Sequence, residues 1–173
     1  MLQNFVVDVG GPFKAVLPAL AFENATRRNR RVLRRGAGLL SHPRLRSPAL
    51  VVGSLVYCRV EVAPRDADPQ LTCVDASGKA AGMGPLLGGL PFDLPTGAAR
   101  RLLARPPPPA LAALGAALAF ELVVGVNGRC WVAAPDTASC VLVAAALRGG
   151  AARPEQAEAL VAALLAVHAQ AKS

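Results

Sequence analysis

Acidic residues are scarce: 11 Asp and Glu stand against 19 Lys and Arg, a net charge of +8. The deficit is local. Eight arginines fall within residues 27–46 with no acid among them, and elsewhere eleven cations face eleven acids. That distribution excludes a uniformly basic packaging protein. Aromatics make up 4% of the chain, with one Trp and one Tyr, which leaves few rings on which bases could stack. Long apolar runs are missing as well. The longest, residues 110–120, is too short to span a bilayer and ends at Glu121. Residues 1–9 lack a basic region and reach Asp8, so they do not read as a signal peptide. The four cysteines (Cys58, Cys73, Cys130, Cys140) form no CxxC pair and read as buried thiols in a reducing compartment. With 53% hydrophobic and 17% charged residues, intrinsic disorder is excluded. The length suits one domain or two small ones.

What is present begins as strands. Residues 5–9 stop at Gly10-Gly11, and a second extended run, 13–20, follows Pro12. Val56, Cys58, Val60 and Val62 alternate with Tyr57, Arg59 and Glu61, which predicts one half-buried strand. Residues 64–69 are turn-forming and 71–74 make another short strand. Four short strands without a helix between them predict a small barrel or an open sheet. Five glycines in residues 77–89 mark the domain boundary.

Beyond it the pattern is mixed. Thr96 caps a short helix reaching Arg105, stopped by the prolines at 106–109. Residues 120–124 and 129–133 are strands around Gly125-Val126-Asn127-Gly128, and Asn-Gly is the strongest short hairpin signal. Asp136 caps a helix that Gly149-Gly150 ends. A last helix starts at Pro154 with Glu155 and Glu158 in its first turns, and Leu160, Val161, Leu164, Leu165 and His168 share one face. The second domain is therefore α+β.

Catalytic signals are weak. Gly78-Lys79-Ala80 lacks the Ser/Thr and the upstream glycine of a phosphate loop. Gly82-Met83-Gly84 is followed by Pro85, which has no N–H to offer a phosphate. GxSxG and HExxH do not occur, the cysteines and histidines (His42, His168) are not spaced as a Cys–His site, and metal-ligand spacing fails. The arginines carry more. Arg27, Arg28, Arg30 and Arg31, then Arg34 and Arg35, can neutralise phosphates and give a salt-dependent attraction to nucleic acid. The alternative is a solvated loop, which Gly36, Gly38, Pro43 and Pro48 favour for the later part. The Gly125–Gly128 tetrapeptide resembles the GxxG of KH domains, but its strand-like flanks favour a hairpin turn. Trp131 reads as a core or domain-interface anchor and not as a stacking platform.

Taken in order, several segments match one family. They are Asp8-Val9-Gly10-Gly11, Phe22-Glu23-Asn24-Ala25-Thr26-Arg27-Arg28-Asn29-Arg30, Val52-Gly53-Ser54-Leu55-Val56-Tyr57 and Leu71-Thr72-Cys73-Val74-Asp75. Gly82-Met83-Gly84 and Gly125-Val126-Asn127-Gly128-Arg129-Cys130-Trp131-Val132 complete the set. The set resembles an RNA exosome cap subunit family, that of ribosomal RNA-processing protein 40 (exosome component 3). The resemblance implies an S1-type OB β-barrel over residues 1–77 and a KH-type α+β domain over 78–173. The barrel is expected to lack its first strand and to carry an Arg-rich insertion at about 31–49, either a lineage-specific loop or a translated intron. It implies no catalytic residue, no cofactor and no metal. The expected partners are RNA and the other exosome subunits, which form a nuclease-like ring, in a hetero-oligomer away from membranes. The expected locations are nucleus, nucleolus and cytoplasm. RNA contact is expected at Arg27, Arg28, Arg30, Tyr57 and Arg59. Gly125, Asn127, Gly128 and Trp131 are expected to be scaffold. A sister S1/KH cap subunit and a free-standing KH/OB RNA-binding module are the alternatives.

Overall fold

The computed structural model describes residues 4–26, 33–34 and 50–172. The chain forms two compact units, Met1–Leu87 and Gly88–Ser173. The first holds β1 (Asn4–Val7), β2 (Ala15–Pro18), β3 (Leu33–Arg34), β4 (Leu50–Val51), β5 (Leu55–Tyr57), β6 (Arg59–Val62), β7 (Gln70–Thr72) and β8 (Gly84–Leu86). The second holds β9 (Leu90–Asp93), α1 (Thr96–Leu102), α2 (Pro109–Ala117), β10 (Glu121–Val124), β11 (Arg129–Ala133), α3 (Thr137–Ala152) and α4 (Ala157–Lys172). The α+β expectation holds.

In the first unit, β1, β2, β7 and β6 lie side by side in that order, with the central β2–β7 pair parallel and the outer pairs antiparallel. Among the described residues the strands form an open mixed sheet and two separate two-stranded pairs, β3–β4 and β5–β8, with no closed barrel. Phe5 stands opposite Leu17 in the β1–β2 register, and both side chains are buried. Around them gather Ala15, Ala19, Phe22, Leu50, Leu71 and Cys73, and the Phe22 ring meets Phe5 edge-on at 6.4 Å.

The alternating stretch 56–62 is not one strand. It breaks at Cys58, so β5 pairs with β8 whereas β6 pairs with β7. All four β6 residues are exposed, because β6 is the outer strand of its sheet and neither of its faces is covered. Alternation signals a half-buried strand only where one face has a partner.

The second unit is a three-stranded antiparallel sheet, β10-β11-β9, with helices over one face. Leu122, Val124, Phe92, Cys130 and Val132 point to the helices and pack with Leu114, Val143, Leu147 and Val161. Residues 110–117, unassigned from the sequence, belong to α2, which starts at Pro109, where the missing N–H is harmless. The α1 helix begins after Pro95, with no side-chain cap; Thr96 is already inside it.

The α3 helix is capped as expected, with Asp136 accepting from the Ser139 N–H at 2.8 Å. It does not stop at Gly149-Gly150 but continues to Ala152. The glycines face α4: a Cβ on Gly149 would collide with Leu160, and one on Gly150 would come 3.1 Å from the Ala157 methyl. Their role is close helix packing, a tertiary reason the local sequence does not carry.

Leu17 and Leu114 are both fully buried, one in each unit. Each Leu→Ala substitution is expected to cost about 2–5 kcal/mol of the stability of its own unit, read by urea unfolding. A loss well under about 1 kcal/mol would mean that leucine is not the packed centre described here.

Candidate nucleic-acid interface

Two segments far apart in sequence meet in the first unit. After β2, the chain turns through residues 18–25, where the Ala21 N–H donates to Pro18 and the Ala25 N–H to Phe22, with Asn24 in the left-handed region at φ 56. The Cys73 N–H, just past β7, donates to the Ala21 carbonyl at 2.8 Å. Further on, the Ala80 N–H donates to Glu23 Oε2 at 3.3 Å. These bonds bind residues 21–25 to residues 73–80.

The second of those segments is organised by one carboxylate. Asp75 Oδ1 accepts from the Ser77 N–H at 2.8 Å, the Ser77 hydroxyl at 2.7 Å and the Lys79 N–H at 2.9 Å. The backbone closes the same loop, with the Asp75 N–H donating to Lys79 at 2.7 Å. The Ser77 hydroxyl, then the Lys79 N–H and more weakly the Arg59 charge, hold the Asp75 carboxyl below the usual carboxylate range. Lys79 is exposed in this loop. Its loop is closed locally by Asp75 and tied at Ala80 to Glu23, 57 positions away.

Of the residues expected to touch RNA, Arg27, Arg28 and Arg30 lie outside the described residues, as does most of the 31–49 stretch. They follow directly on the turn that Glu23 ties to Ala80. Tyr57 and Arg59 are described, on separate strands. Tyr57 is half-buried at the end of β5, opposite Gly84. Arg59 is exposed at the start of β6, and its Nε donates to the Val74 carbonyl at 2.8 Å. One edge of its guanidinium is therefore committed to the chain that leads into the Asp75 loop.

In the second unit, Gly125-Val126-Asn127-Gly128 is the turn between β10 and β11. The Gly125 N–H donates to Arg129 at 2.8 Å, the Gly128 N–H returns to Gly125 at 3.0 Å, and Asn127 Oδ1 accepts from the Arg129 N–H at 3.2 Å. The turn is also pressed onto its own unit. Gly128 has φ 90 and its carbonyl accepts from the Leu94 N–H at 2.8 Å. A Cβ on Gly128 would strike the Leu94 carbonyl oxygen, and one on Gly125 would strike Asn127 Oδ1. The two helices α1 and α2 are joined instead by residues 103–108, which contain Arg105 and three prolines and no GxxG. Trp131 is buried, and its Nε1–H donates to the Gly88 carbonyl at 2.8 Å. Gly89 must be glycine for that ring to fit, since its Cβ would come 2.7 Å from the indole.

Burial pushes the Cys130 thiol up to about 11 and the Cys58 thiol upward too, so neither is poised as a nucleophile. His168 Nε2 lies 3.4 Å from Ser139 Oγ, whose hydrogen goes to Asp136 at 2.9 Å, so it joins a helix cap and not a cysteine. His42 lies outside the described residues. Among the described residues no three His, Cys, Asp or Glu side chains stand together as metal ligands.

Comparison with known proteins adds a family. The description "Exosome complex component RRP40, S1 domain" matches residues 1–42 and 43–84, and "KH domain" matches residues 89–138. The exosome complex component rrp40 of Schizosaccharomyces pombe is 40% identical over 147 residues, 84% of this chain and 54% of that protein. The mouse and human RRP40 proteins are 38% and 37% identical over 141 residues, each covering 81% of this chain and 45% of theirs. The chain thus spans about half the length of the relatives it matches. A crystal structure described as that of an exosome complex RNA-binding protein has the same fold, with TM-score 0.64 at 17% identity over 95% of this chain and 85% of that one.

Gly128→Ala and Gly78→Ala separate the two demands on glycine. Both have positive φ, but the Gly78 site is open whereas Gly128 abuts Leu94. Gly78→Ala is expected to cost about 1 kcal/mol and Gly128→Ala clearly more, by thermal unfolding. Equal costs would show that the Leu94 approach relaxes freely. For Asp75, the folded value lies below the unfolded one, so its contribution is present above about pH 4 and is lost as pH falls through the lower folded value. Protection of the Ser77 and Lys79 amides, taken against the intrinsic exchange rate at each pH, should fall over that acid range and be low at all pH in Asp75→Ala. Protection in Asp75→Ala equal to that of the unaltered chain would overturn the carboxylate's organising role.

Proposed function

Because the chain belongs to the family of the exosome complex component RRP40, we propose that it is a non-catalytic, RNA-binding cap subunit of the RNA exosome. In this role it helps RNA enter, and supports the ring, during 3′-to-5′ RNA processing and degradation. The observation that carries the reading is the RRP40-type S1 match followed in order by a KH match. The weakness of every catalytic motif and the neutralised cysteines agree with it. Its partners are RNA and the nuclease-like ring subunits, and it works in nucleus, nucleolus and cytoplasm.

RNA contact falls to Arg27, Arg28 and Arg30, with Tyr57 and the free edge of the Arg59 guanidinium contributing. Guanidiniums pair with phosphate through two parallel bonds and carry no base preference, so binding is weakly sequence-specific and salt-dependent. Gly125, Asn127, Gly128 and Trp131 serve as scaffold. The close approach of Gly128 to Leu94 and the Trp131–Gly88 bond support that assignment.

Replacing Arg27 and Arg28 by Ala should weaken binding to single-stranded RNA and flatten the plot of log affinity against log salt by about 1.4, or 0.7 per phosphate contact. An unchanged slope removes these arginines from the site. Affinity purification of the tagged chain should bring the nuclease-like ring with it; RNA binding without the ring would favour a free-standing module.

A further inference from the structure

The KH-type unit carries an arginine group that the proposed function leaves unused. Arg100 and Arg101 close α1 and Arg105 follows in the connection to α2; all three are exposed. Residues 94–120 contain these three cations and no acid. The flanking carboxylates are Asp93 and Glu121. Asp93 stands opposite Arg129 in the β9–β11 register, so a cation already faces it. Among the described residues none of the three arginines is engaged with a carboxylate.

Beside Arg101 the backbone is bare at the exposed Gly97. Arg101 folds back along α1, with Nη1 3.9 Å from where a Cβ on Gly97 would stand. The preceding residue, Thr96, has its Cγ2 3.8 Å from the corresponding position on Gly128. Arg101, the first turn of α1 and the β10–β11 turn therefore share one stretch of surface. Its exposed side chains besides the arginines include Thr96, Leu103, Val126 and Asn127, and neither residues 94–105 nor residues 125–129 contain an aromatic ring. That composition suits a chain of phosphates better than bases, which need rings for stacking. Placing cations in the last turn of α1 complements the helix dipole and accounts for Arg100 and Arg101. It accounts neither for Arg105, beyond the helix, nor for the exclusion of acids over 27 residues.

We propose that Arg100, Arg101 and Arg105 form a second contact for the RNA phosphate backbone, on the KH-type unit and distinct in sequence from Arg27–Arg30. The proposal rests on the RNA-binding reading above and extends it to a region that the GxNG turn does not serve.

The test uses the full chain and a fluorescent single-stranded RNA, with affinity read over a range of salt. Arg100→Ala with Arg101→Ala should flatten the salt slope by about 1.4, and Arg105→Ala alone by about 0.7. Arg100→Lys with Arg101→Lys should keep the slope, since the charge remains. Arg105 lies outside every helix, so its variant gives the reading even if the double variant does not fold. If the alanine variants keep the slope while Arg27→Ala with Arg28→Ala lowers it, the second contact is wrong and the first stands. If the unaltered chain shows no salt-dependent RNA binding, both readings fall. Retained RNA binding with loss of the co-purifying ring would make the patch a protein contact, which also overturns the proposal.

Discussion

Where the Gly128 backbone meets Leu94 there is no room for a side chain, and the second unit is organised around that approach. The bond between the two residues joins the tip of the β10–β11 hairpin to the end of β9, just before α1 begins. That bond continues the β11–β9 pairing to Leu94, just before the start of α1. With the turn held this way, Gly125 and Asn127 close on each other and on Arg129. At both of its glycines a side chain would strike atoms of the same unit. Arg100 and Arg101 stand in the last turn of the helix that follows.

The first unit is built around an electrostatic constraint of the same kind. Asp75 gathers a hydroxyl and two backbone N–H groups, and Glu23 reaches the next residue of the loop. Carboxylates are scarce in this chain, and here two of them order backbone next to an arginine-rich segment. Arg59 is drawn into the same assembly through Val74. The exposed Lys79 therefore stands in a loop that these two acids order.

Much of this was legible in the residues. The β10–β11 hairpin followed from Asn127-Gly128 between apolar runs, because a two-strand turn is a local event. The Asp136 cap followed for the same reason. The misread elements depended on distant partners. Gly149-Gly150 looks like a helix stop until α4 is laid against it. The 56–62 alternation looks like one strand until β8 and β7 claim its two halves separately. The alanine-rich 110–120 run has no amphipathic stripe, and only the core around Leu114 shows which face is buried.

The sequence by itself determined the two-part α+β organisation, the family, the hairpin and the local concentration of arginine. These depend on composition, short-range turn chemistry and the order of motifs along the chain. Tertiary structure alone decided what the glycines and carboxylates do. Whether Gly128 is bare for a phosphate or for Leu94, and whether Asp75 and Glu23 repel RNA or order the loop beside its arginines, depends on which atoms lie within 3 to 4 Å. For Gly128 and Glu23 that distance is set by packing between residues tens of positions apart, which no local pattern encodes.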